Sequence, residues 1–75
     1  MQLNVELERE EDGRWIAEVV DLPGVLAYGD DPDNALRAAR ALALRVIADR
    51  IEHGELDAPA NRVEFISPQP DIPAC

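Results

Sequence analysis

Residues 31–53, DPDNALRAARALALRVIADRIEH, are the only long stretch of the chain with helical period, and the fold is read outward from them. Asp31 suits an N-cap, because its side-chain oxygen can accept a backbone N–H of the first turn. Pro32 then takes the first helical position, where a missing N–H costs nothing. Asp33 places negative charge at the positive end of the helix dipole. Gly54 is a stop, with Arg50 and His53 in the turn before it. At roughly 100° per residue, Ala35, Leu36, Ala39, Leu42, Ala43, Val46 and Ile47 form a wide apolar face. Arg37, Arg45, Asp49 and Glu52 lie opposite. Leu44, Ala48 and Ile51 also fall outside the apolar face, among Arg37, Arg40 and Arg45. A helix that is apolar on more than one side is usually covered on more than one side. The extra stripe reads as a subunit or partner interface, or as scattered surface aliphatics.

Upstream, Leu3, Val5 and Leu7 alternate with Gln2, Asn4, Glu6 and Glu8, the period of a half-buried strand over residues 2–10. Glu10 to Gly13 is a polar turn. A second strand follows from about Arg14 to Val20, with Trp15, Ala17 and Val19 on one face and Ile16, Glu18 and Val20 on the other. The two strands pair as an antiparallel hairpin. Asp21-Leu22-Pro23-Gly24 breaks the chain, since proline sets φ and glycine allows a reversal. Residues 25–29 form a short third strand, and Asp30 leads into the helix cap. Downstream, residues 54–61 connect to a last strand over residues 62–67, with Val63 and Phe65 on one face. Residues 68–75 carry Pro68, Pro70 and Pro73 and read as an extended tail. The order β-β-β-α-β predicts a two-layer α+β domain over residues 1–67, one long helix on a small, mainly antiparallel sheet. The far face of the sheet, with Asn4, Glu6, Glu8 and Glu18, is expected to be solvated or covered by a partner.

Seventy-five residues make a single small domain, and a chain of this size buries only about 60% of its unfolded surface. A single cysteine, Cys75, rules out a disulfide within the chain, and with His53 as the one histidine no zinc site can be closed. Self-association, as a dimer or tetramer, is the remaining common way to stabilise so small a core. Sixteen acidic against seven basic residues leave a net charge of −9. Nucleic-acid binding rests on Lys and Arg contacts to phosphate, so direct binding of DNA or RNA is not expected. Acidity suits a basic protein partner, although it also serves plain solubility. The N-terminus opens straight into the strand pattern, without the profile of a secretory signal. With no apolar run of membrane-spanning length, a cytoplasmic protein without membrane contact is expected.

Residues 12–36, DGRWIAEVVDLPGVLAYGDDPDNAL, resemble the HicB family of antitoxins. Ala17, Glu18, Val19, Asp21, Leu22, Pro23, Gly24, Gly29, Asp30, Ala35 and Leu36 match that family's pattern. In it, an A-E-V-x-D-L-P-G strand end precedes a short strand closing on Gly-Asp and a capped helix opening on Ala-Leu. The chain departs from it at Val25 and Ala27, where Cys and Thr or Ser are frequent, and at Asn34, where an acidic residue is common. The resemblance implies a partial RNase H-like fold. It also implies an oligomeric antitoxin that binds and neutralises a small basic HicA-like, mRNA-cleaving toxin. Many members add a C-terminal DNA-binding segment; here a proline-rich tail follows, so operator binding does not carry over. The alternative is a stand-alone oligomeric domain of the same fold that binds a small ligand or serves as an accessory subunit.

No catalytic, metal or cofactor-binding residue is assigned. The carboxylates follow strand and helix periods, as solvated faces do, and no nucleophile–base pair is evident for an enzyme. His53, near a helix end, reads as structural. Trp15 is read as core or interface, and Tyr28 as a partner anchor or an ordinary exposed aromatic. Leu44 and Ile51 are the candidate interface residues of the helix. Asp21, Leu22, Pro23 and Gly24, with Gly29 and Asp30, are read as structural. Cys75 is an exposed thiol in this reading.

Overall fold

A computed structural model of the chain describes residues 1–55 and 62–67. The element order is β1 (Gln2–Arg9), β2 (Trp15–Val19), β3 (Leu26–Gly29), α1 (Pro32–Glu52) and β4 (Glu64–Ile66). This is the α+β arrangement expected from the sequence. The expected tail over residues 68–75, with Cys75, lies outside the described residues, as do residues 56–61 of the connection to the last strand.

The four strands form one mixed sheet in the order β3-β2-β1-β4. β1 and β2 are antiparallel, with Val5 opposite Val19 and Leu7 opposite Ala17. The link between them turns at Gly13, whose φ of +92° is cheap only without a Cβ. β2 and β3 are antiparallel, with Ile16 opposite Tyr28. β4 returns parallel to β1, with Leu3 opposite Phe65.

α1 begins as its sequence dictates. The Asp31 carboxylate accepts the Asn34 backbone N–H at 2.8 Å, and Pro32 opens the first turn. It ends in a Schellman motif: Gly54 at φ +68° donates to the Ile51 carbonyl at 3.2 Å, and Glu55 donates to that of Arg50 at 2.8 Å. Ala35, Ala39 and Ala43, spaced four apart, are fully buried. This row of small side chains lets the helix lie close on β2 and β3. Leu36 and Ile47 flank the row and complete the helix contribution to the core. Leu42 and Val46 pack at its margin, half-buried.

The core between helix and sheet takes Leu3 and Val5 from β1, Ala17 and Val19 from β2, and Leu22 and Val25 from the connection. Val25 belongs to the connection, whereas the sequence reading began the third strand with it. The connection is two tight turns in series: Leu22 donates to the Val19 carbonyl at 3.0 Å, and Val25 to that of Leu22 at 3.1 Å. In the second, Pro23 and Gly24 hold the central positions. Gly24 has φ +85°, as the third residue of a type II turn requires. Leu22 and Val25 are thereby turned inward. Gly29 serves a different need: a Cβ there would collide with the Ala35 backbone nitrogen and lie 2.8 Å from the Asn34 carbonyl carbon. Glycine at the end of β3 lets the first turn of α1 sit against the strand.

Candidate functional site

With the helix covering one side of the sheet, the other side is left open, and strand parity decides what stands on it. Register aligns the outward side chains in rows. Glu8, Ile16 and Tyr28 make one row, and Glu6, Glu18 and Leu26 the next. Asn4 stands opposite Ile66, and Gln2 opposite Glu64. Val20 joins them through its N–H, which bonds to the Asn4 carbonyl at 3.0 Å. The expected carboxylates are therefore here, but the face is not simply polar. Val20, Leu26, Tyr28 and Ile66 are all exposed upon it, and Ile16 is half-exposed among them. The apolar side chains rim a centre of carboxylates that stands over β1 and β2.

That centre is a cluster of like charges. Glu6 and Glu18 are direct cross-strand partners, with Glu8 the next outward residue on β1. Like charges in directly opposed positions destabilise a sheet. Among the described residues no Lys, Arg or His pairs with Glu6, Glu8 or Glu18; the ion pairs there are Arg14–Asp12 at 2.9 Å and His53–Asp49 at 3.4 Å. Arg14, at the margin of the face, is engaged by Asp12 and Tyr28. Its backbone N–H and its Nε both donate to Asp12, and its guanidinium lies 4.9 Å over the Tyr28 ring. The Asp12 carboxyl is lowered below the usual carboxylate range, chiefly by the hydrogen bond from the Arg14 backbone N–H.

The sequence-level candidates do not converge. Tyr28 belongs to the open sheet face, 47% exposed. Trp15 is on the opposite side of the sheet, half-buried and packed against the core. Leu44 and Ile51 lie on the outer side of the helix, 47% and 53% exposed. Asp21 carries a role that turn chemistry does not signal: its carboxylate anchors Asn4 of β1. Leu22 is core, Pro23 and Gly24 form the turn, Gly29 admits the helix, and Asp30 is exposed beside the cap. The apolar members of the open face, Ile16, Val20, Leu26 and Ile66, are not evident from any one strand. Their grouping requires the register of all four.

Among the described residues no group of three or more His, Cys, Asp or Glu side chains is placed to hold a metal ion. No helix there is long and apolar enough to cross a membrane. A cavity of about 190 Å³ on the open face is lined by Glu6, Leu7, Glu8, Ile16 and Glu18. Such a surface offers a second macromolecule area, hydrogen-bond acceptors and negative charge. No protein-family model, no curated protein and no solved structure matches the chain.

Proposed function

We propose that this chain is an antitoxin-like interaction protein whose open sheet face binds a small basic protein. Together with the HicB-like residues from Ala17 to Leu36, this favours a HicA-like, mRNA-cleaving toxin as the partner and neutralisation as the outcome. The observation that carries the reading is the Glu6–Glu18 pair, beside Glu8 and within a rim of Ile16, Val20, Leu26, Tyr28 and Ile66. A cationic partner relieves the repulsion between the carboxylates, and its own charge is neutralised in return. The rim supplies the apolar contact, with Tyr28 of the residue type enriched at binding hot spots. Opposed charge also speeds encounter and rejects acidic competitors.

The test is capture at low salt from the native cell with an N-terminally tagged chain, followed by mass identification. A small basic protein that leaves as salt rises, cleaves RNA once freed and is silenced by adding the chain back supports the reading. Capture must also be lost with Glu6→Lys/Glu18→Lys. Recovery of the chain alone points instead to a stand-alone domain.

A further inference from the structure

Among the described residues, the outer side of α1 carries a second unpartnered surface, remote from the open sheet face and with different chemistry. Ala41, Leu44, Ala48 and Ile51 follow one another at spacings of three and four, and all are exposed. Alternating three- and four-residue steps keep side chains on one seam of a helix, the pattern by which two helices pack along their length. Arg37 continues the seam at one end, four residues before Ala41. At the other end, the Schellman motif holds Glu55 beside the last turn.

We infer that this seam pairs with the same seam of a second copy, the two helices antiparallel about a two-fold axis near residue 46. The register follows from size and charge. Antiparallel pairing about that point sets Leu44 against Ala48 of the other copy, and Ala41 against Ile51. Each large side chain then meets a small one, twice over, as a two-fold interface requires. The same register brings Arg37 to the C-terminal end of the other helix. There the Glu55 carboxylate and the negative end of the helix dipole favour a cation. A parallel pairing would stack Leu44 on Leu44, Ala48 on Ala48 and Arg37 on Arg37, losing the size match and opposing like charges. Self-association through the open sheet face is disfavoured for the same kind of reason, since two-fold apposition would set one copy's Glu6, Glu8 and Glu18 against the other's. The seam therefore takes a second copy and leaves the sheet face clear, and this inference does not depend on the identity of any basic partner.

Sedimentation of the full chain, with reductant present to keep Cys75 from cross-linking, tests the pairing. The wild-type chain is expected at twice its 8.3 kDa mass or a multiple of that. Leu44→Asp/Ile51→Asp is expected at 8.3 kDa with an unchanged far-ultraviolet spectrum. Register is read from charge exchange. Arg37→Glu and Glu55→Arg should each weaken self-association several-fold, and the two together should restore it to near the wild-type value. A monomeric wild-type chain, or an oligomer indifferent to Leu44→Asp/Ile51→Asp, overturns the inference. Single charge variants without effect, or a double variant that is no better than either, overturn the register. Loss of self-association leaves binding of basic protein at the sheet face to be measured separately, so the two readings fail independently.

Discussion

The carboxylate of Asp21 accepts two hydrogen bonds from Asn4, one from its backbone N–H at 2.6 Å and one from its side-chain amide at 3.1 Å. The residues are 17 apart in sequence. Asp21 sits just past β2, where the chain leaves the sheet, and its side chain supplies β1 with an acceptor that the strand no longer provides. The opening of the Asp-Leu-Pro-Gly turn is thus tied to the central strand rather than left hanging from the sheet.

Replacing Asp21 with alanine should therefore cost about 1–3 kcal/mol, the range for hydrogen bonds to a charged acceptor at a solvated site. Thermal unfolding measures it. Asp21→Asn keeps an acceptor oxygen in place and should lose less. Equal loss in the two variants would mean that the carboxylate position is incidental.

Two glycines should respond differently to the same substitutions. Gly24→Ala is strained by its φ of +85° and meets no neighbour, whereas Gly29→Ala drives a methyl group into the first turn of α1. Each should cost about 1 kcal/mol or more. Asparagine tolerates positive φ better than alanine, so Gly24→Asn should recover part of the loss at residue 24, while Gly29→Asn should be worse than Gly29→Ala. Denaturant midpoints for the four variants decide this.

The carboxylate centre of the open face should cost stability that binding recovers. Glu18→Gln removes the charge opposite Glu6 and should raise stability by a few tenths of a kcal/mol, the scale of a cross-strand pair. It should also weaken capture of a basic protein. Chemical denaturation and binding measured on the same variant should move in opposite directions; a loss of stability would show that the pair is already compensated.

The lowered Asp12 pKa makes a prediction at acid pH. A carboxyl whose folded-state pKa lies below its unfolded value adds stability above the unfolded pKa and loses it as pH falls through the folded one. Because the Arg14 backbone N–H is the leading cause and the side chain adds to it, Arg14→Ala should leave part of the lowering in place. Carboxyl carbon shifts followed by NMR from neutral to acid pH measure this directly. Return of Asp12 to the ordinary carboxylate range in that variant would assign the effect to the guanidinium instead.

Much of the architecture is a matter of local chemistry and is legible residue by residue. Asp31, Pro32 and Gly54 mark the helix ends because caps and stops act within one turn of chain. Leu3, Val5 and Leu7 mark the inward face of β1 because side chains alternate with every residue. Pro23 and Gly24 mark a turn because φ is restricted or freed at those positions alone. The core alanines of α1 follow from its period. The small size and strong acidity need only composition.

What surrounds the core was decided elsewhere. Leu22 and Val25 read as turn and strand, and only packing beneath the helix shows them as core. Trp15 is open between core and interface in the sequence, and only register places it on the core side of the sheet, opposite the side that carries Tyr28. The open face draws Ile16, Leu26, Tyr28 and Ile66 from three strands and Val20 from just past β2, so no local pattern announces it. The sequence by itself determined where the chain turns, where it coils and which residues face inward within each element, because those choices are settled by neighbours a few residues away. Tertiary structure alone decided which outward residues share a surface, because register between strands distant in sequence is set by the whole core as it packs.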